Sequence, residues 1–236
     1  MKKKFKTKIF ADGANISEII TLNQNKNIKG FTTNPTLMRK AGVDNYEKFC
    51  KKLLIKIKDK PISFEVFADD FDEIVEQAKK INSWGENVYV KVPVMNTKRE
   101  YAYKAIKKLS NLNIKLNITA IFTKDQIKQV VKNLNLKVPA YISVFAGRIA
   151  DAGVNPLNIM RYAVDQSKKS KNFEVIWASP RQSYNIIEAD EIGCHIITIT
   201  KDILNKIDIF GKDLEEYSLD TVKMFYKDAL EANYKI

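Results

Sequence analysis

Short apolar runs recur along this chain at intervals of roughly 20 to 30 residues, each of strand length and rich in β-branched and aromatic side chains. They are KIFAD (8–12), IKGFTTN (28–34), ISFEVF (62–67), VYVKVPV (88–94), KLNITAI (115–121), AYISVF (140–145), EVIWAS (174–179) and HIITIT (195–200). Between them lie stretches with helical spacing of apolar residues, such as NYEKFCKKLLIKIK, DFDEIVEQAKKINSWG, REYAYKAIKKLSN, TKDQIKQVVKNL, PLNIMRYAVDQSKK and SYNIIEADEIG. This alternation predicts βα units and a parallel sheet. Eight strands with helices between them are most simply a (β/α)8 barrel, and 236 residues suit one such domain over 1–236. An open doubly wound sheet is the alternative. It usually carries a glycine-rich phosphate turn, and this chain has neither GxGxxG nor GxxxxGK[ST] and only eight glycines. The tail SLDTVKMFYKDALEANY predicts a closing amphipathic helix capped by Ser218 or Asp220.

Composition narrows the function. Hydrophobic residues make up 45% and charged residues 29%, a globular balance. The two cysteines, Cys50 and Cys194, are far apart and in no metal-like spacing, which fits a reducing compartment. The one histidine, His195, has no zinc-motif context and reads as a packed strand residue, so no metal is expected. The net charge of +12 comes almost wholly from lysines spread along the chain. The plainer reading is a solvated Lys-rich surface, which also suits anionic metabolites. A basic nucleic-acid-binding protein is the contrasting reading, but the chain shows no aromatic–basic stripe and no known binding motif. The start MKKKFKTKIFADG lacks an apolar stretch long enough for a signal peptide, and no run approaches the ~20 apolar residues of a membrane span. A cytoplasmic protein is expected.

In a barrel, chemistry collects at the carboxyl ends of the strands. Asp12 ends the first run and Thr32-Thr33-Asn34-Pro35 the second. Glu65 lies in the third, Lys91 in the fourth, Asn117 and Thr119 in the fifth, Ser143 and Phe145 in the sixth, and Ser179 at the end of the seventh. Polar residues in buried parallel strands cost free energy unless they pair or serve a function. Lys91 is the most informative. Burial disfavours its charged form, which favours a free amine able to attack a carbonyl, and nearby Arg148 or Arg181 would act the same way. The plainer alternative is a lysine at a strand end paired with Glu65. Glu65 and Asp12 are candidate acid/base groups in different surroundings. Arg148 and Arg181, two of only five arginines, fall just past the sixth and seventh runs, where barrels often seat a phosphate.

At these residues the chain resembles the transaldolase family. The segments are FADGAN (10–15), GFTTNPTL (30–37), FEVF (64–67), VYVKVPV (88–94), LNITAIFT (116–123), SVFAGRIAD (143–151) and ASPR (178–181). They stand in family order, and the length is similar to that of the short members, the fructose-6-phosphate aldolases. The resemblance implies a cofactor-free enzyme of the pentose phosphate pathway that acts on sugar phosphates through a Schiff base on Lys91. It implies that Asp12 exchanges the proton of the hydroxyl beside the broken bond, and that Glu65 and Thr119 hold a proton-shuttling water. Asn34, Asn117 and Ser143 would bind hydroxyls of the dihydroxyacetone part, with Phe145 beside it. Arg148, Ser179 and Arg181 would hold the phosphate. Met95, Pro180, Gln182, Val144 and Ala146 depart from the usual family residues and bear on substrate preference. Family aldolases tend to have Gln and Tyr where this chain has Glu65 and Phe145, so transfer is expected over release of free dihydroxyacetone. Association into a homo-oligomer is also expected.

Overall fold

The computed structural model describes residues 5–235, so most of the lysine-rich start lies outside the described residues. Eight parallel strands close on themselves in sequence order: β1 (Lys8–Asp12), β2 (Ile28–Thr32), β3 (Ile62–Glu65), β4 (Val88–Pro93), β5 (Leu116–Ile121), β6 (Ala140–Val144), β7 (Phe173–Trp177) and β8 (Ile196–Ile199). The ring is completed by β1 pairing with β8, with Phe10 opposite Thr198. The helices between them are α1 (Ile16–Asn23), α2 (Pro35–Lys40), α3 (Tyr46–Lys56), α4 (Phe71–Asn82), α5 (Tyr103–Asn111), α6 (Lys124–Asn133), α7 (Ala146–Asp151), α8 (Leu157–Ser167), α9 (Asn185–Glu191) and α10 (Lys201–Asn205). The expected (β/α)8 barrel is therefore the fold.

Alternation along each strand divides the side chains between two cores. One set, including Val88, Val90 and Val92 of β4, is fully buried in the large cluster shared with the helices. The other set points into the barrel. Phe10, Tyr141, Ile176, Ala178 and Ile196 form a separate apolar cluster there, joined by Tyr89 and Phe145. Phe10 of β1 meets Tyr141 of β6 edge to face at 5.8 Å, and Tyr141 stacks on Tyr89 of β4 at 3.9 Å. These strands are not neighbours, so the rings meet across the interior and fill it. Gly30 on β2 makes room for this plug, because a Cβ there would come within 2.5 Å of the Phe10 ring. Polar side chains occupy the interior beyond it, at the carboxyl ends.

The last helix, α11 (Leu214–Glu231), departs from expectation. Its cap is neither Ser218 nor Asp220, which both lie inside the helix. The Asp213 side chain accepts from the amides of Glu215 and Glu216, satisfying first-turn donors that would otherwise lack partners. Nor does it close the barrel. It buries no residue, and Val222, Phe225 and Leu230 stand exposed. Among the described residues no helix is long and apolar enough to cross a membrane. His195 sits just before β8, where its Nδ1 accepts from the Val175 amide, a structural role as expected.

The Phe10–Gly30 contact can be tested. Gly30→Ala should destabilise the fold by about 1–3 kcal/mol in denaturant titration, and adding Phe10→Leu should recover part of the loss. Simple additivity of the two changes would show that the ring is not what Gly30 accommodates.

Candidate active site

The polar end of the barrel interior is built around Lys91. Its residue is only 8% exposed, and its Nζ lies 3.1 Å from Glu65 Oε2 and donates to the Thr33 carbonyl at 3.1 Å. The register brings this about, since Glu65 is paired with Lys91, and Lys91 in turn with Asn117. Tyr46 on α3 donates its hydroxyl to the Glu65 carbonyl at 2.8 Å, anchoring the end of β3. Lys91 is thus both buried and paired with Glu65. The groups that face it are acids. Arg148 and Arg181, expected to crowd it with positive charge, are engaged elsewhere.

Asp12 ends β1 beside this pair. Thr32 donates its hydroxyl to Asp12 Oδ1 at 2.8 Å, and Asn34 Nδ2 reaches Oδ2 at 3.3 Å. Asn34 also caps α2, accepting from the Leu37 amide, with Pro35 in the first turn where its missing N–H does no harm. Burial pushes the Asp12 carboxyl above the ordinary aspartate range, and the charge of Glu65 adds to the rise. The Lys91 ammonium and the Thr32 hydroxyl oppose it. The carboxyl is thus set to carry a proton at a higher pH than a surface aspartate.

A second polar chain runs from β6 through β5 to β3. Ser143 donates to Asn117 Oδ1 at 2.7 Å, and Asn117 Nδ2 donates to Ser63 at 2.9 Å. Asn117 is fully buried, so these bonds fix its amide, leaving one N–H and the remaining lone pairs for another partner. Thr119, two residues along β5, has a buried Oγ1 with no hydrogen-bond partner among the described residues, and Glu65 Oε2 also accepts no aligned hydrogen bond. Buried polar atoms of this kind are usually satisfied by water or ligand.

The exits of β6 and β7 meet closely. A Cβ on Gly147 would fall 1.5 Å from the Ser179 carbonyl oxygen, so only glycine lets α7 approach the β7 exit. Ser179 itself takes a left-handed backbone, with φ at 58°. Arg148 projects from α7 with its guanidinium 5.8 Å from the Phe145 ring centre, and Phe145 packs on Phe122. Arg181 is held by Asp151 of the same short helix. Its Nε donates to Oδ1 at 3.0 Å and to Oδ2 at 2.9 Å, while Nη2 also reaches Oδ2. These bonds hold the Asp151 carboxyl below its usual range, and Arg148 adds to the effect.

The strand-end residues read from sequence thus gather at one end of the barrel, Lys91 in contact with Glu65 and Asp12 with Asn34, with Asp12 within electrostatic reach of the first pair, and Arg148, Ser179 and Arg181 at the exits of β6 and β7. Ser63, Thr198 and Asp151 went unread. The first two look like ordinary strand residues, and the partner of Arg181 is visible only once α7 has formed.

Comparisons with known proteins place the chain in a family. The family model described as Transaldolase/Fructose-6-phosphate aldolase matches residues 9–236. A protein of Methanococcus maripaludis (strain C5) named "Probable transaldolase" is 35% identical over 85% of this chain and 89% of its own length. One of Thermoplasma volcanium with the same name is 36% identical over 84% of this chain and 86% of its own. Among solved structures, the 3-keto-L-gulonate-6-phosphate decarboxylase of Vibrio cholerae superposes with a TM-score of 0.55 at 16% identity, covering 88% of this chain and 99% of that one, a likeness of fold. The chain belongs to the transaldolase/fructose-6-phosphate aldolase family.

Proposed function

We propose that this protein is a cytoplasmic transaldolase of the pentose phosphate pathway that moves a dihydroxyacetone unit between sugar phosphates through a Schiff base on Lys91. The observation that carries the reading is a buried amine on β4 within 3.1 Å of a carboxylate, in a mouth whose rim holds two arginines. Lys91 Nζ adds to the C2 carbonyl of a ketose phosphate such as sedoheptulose 7-phosphate or fructose 6-phosphate. Glu65 and Thr119 hold the water through which protons move as hydroxide leaves the carbinolamine. The resulting iminium accepts the electron pair of the C3–C4 bond, and Asp12 takes the C4 hydroxyl proton. The aldose phosphate departs, and the enamine on Lys91 adds to a second aldehyde. Hydrolysis then frees the new ketose. The Schiff base divides one difficult cleavage into easier steps.

Asn34, Asn117 and Ser143 bind hydroxyls of the dihydroxyacetone part. Arg148, Ser179 and Arg181 take the phosphate, with the phosphate replacing Asp151 on Arg181. Phe145 offers no hydroxyl beside the enamine, which favours transfer over release of free dihydroxyacetone.

The protein also self-associates in this reading. Helix α11 bears five acids (Glu215, Glu216, Asp220, Asp228, Glu231) against two lysines (Lys223, Lys227), on a chain of net charge +12. Its apolar side chains are exposed. An acidic, apolar helix suits the basic surface of a second copy. Val222→Asp with Phe225→Asp should lower the sedimentation mass, and an unchanged mass would exclude α11 from the contact.

Lys91→Met should abolish substrate-dependent borohydride labelling and lower kcat by on the order of 10⁴-fold or more, with the circular dichroism spectrum retained. Labelling that persists would remove Lys91 from its role. Arg181→Ala should raise KM for phosphorylated ketoses more than for unphosphorylated ones. An equal loss for both would contradict a phosphate role. Dihydroxyacetone released quickly without an acceptor aldehyde would identify an aldolase instead. The cleavage rate should rise with pH through a value above the ordinary ~3.9 of aspartate, because Asp12 must lose its proton to act as base. Asp12→Asn should flatten that limb.

A further inference from the structure

The eighth strand supplied no candidate from sequence, yet Thr198 on β8 lies 2.5 Å from Thr32, hydroxyl to hydroxyl, in the buried interior. Among the described residues, Thr32 is the only hydrogen-bond partner of that hydroxyl. Counting hydrogens settles the direction. Thr32 has one hydroxyl proton, and it is donated to the Asp12 carboxylate, which can only accept while ionised. The short contact with Thr198 must then use the Thr198 proton. Two hydroxyls therefore stand in series, Thr198 to Thr32 to Asp12 Oδ1. The strands explain how: β1 lies between β2 and β8, so the two threonines close in front of it from either side.

We propose that Thr198 is a positioning residue for Asp12, polarising Thr32 so that Oδ1 is held fast and Oδ2 is left as the atom that exchanges the substrate proton. The proposal rests on the role of Asp12 given above. Three features carry it. Oδ1 is anchored at 2.8 Å, whereas among the described residues Oδ2 has only the 3.3 Å contact with Asn34. A valine would pack equally well at a buried strand position, so packing alone does not call for a hydroxyl. Hydrogen bonds in series strengthen one another in a low-dielectric interior. The groups facing Asp12 are Thr32 and Asn34 from β2 and its exit, Glu65 from β3, Lys91 from β4 and, through Thr32, Thr198 from β8. Thr198 is uncharged and reaches Asp12 only through Thr32, so its loss leaves both the charges around the carboxyl and its direct hydrogen bonds in place.

The test is titration of the Asp12 carboxyl by carbon NMR, its signal assigned by loss in Asp12→Asn. Thr198→Val should raise the Asp12 pKa by an amount equal to about a two- to four-fold fall in its acid dissociation constant. The acid limb of the cleavage rate should move with it. Thr198→Ser should restore both, which a purely packing role would not require. If Thr198→Val does not fold, Thr198→Ala provides the same comparison. An Asp12 titration unchanged in the folded valine or alanine variant, or not restored by serine, would overturn the proposal. Borohydride labelling of the parent protein reports separately on Lys91. Its absence would sink the Schiff-base reading, while the titration would still judge the hydroxyl chain.

Discussion

The site depends on a lysine and a glutamate held together inside a ring of parallel backbone. Desolvating two charges is unfavourable, and removing one partner from such a pair typically costs about 3–5 kcal/mol. Lys91 and Glu65 are held opposite each other by β3 and β4, and the Thr33 carbonyl takes up a further hydrogen of the ammonium. The rest of the mouth is arranged around that constraint. Asp12 is the third charge in the same small volume, and its carboxyl is pushed up by burial against the pull of Lys91. The hydroxyls and amides of Thr32, Asn34, Ser63, Asn117 and Ser143 supply the dipoles that a cluster of buried charges needs.

The strands were legible because a strand covered on both sides must be apolar along its whole length, and a lysine in VYVKVPV then stands out. Each of the eight runs has its strand within a few residues of the expected span. What was not legible depends on neighbours distant in sequence. Asp151 reads as the end of a short helix until Arg181 is folded against it. Thr198 reads as one more β-branched strand residue until β8 closes on β1. The cap of α11 was misplaced because an acidic first turn made several residues equally suitable, and Gly211 with Asp213 begins the helix earlier.

The rim differs in character from the floor. Arg148, Ser179 and Arg181 hang on the contact between α7 and the β7 exit, where Gly147 touches the Ser179 carbonyl. That close approach fixes the backbone of the two segments from which Arg148 and Arg181 project. Asp151 balances Arg181 meanwhile, and an exposed ion pair of that kind is weak enough to be exchanged for a doubly charged anion.

The aromatic plug of Phe10, Tyr89 and Tyr141 has a consequence for traffic. Rings packed edge to face and stacked across the interior make a solid floor and not a pore. The polar side chains above that floor are open to one face of the sheet alone, the face at which the strands end.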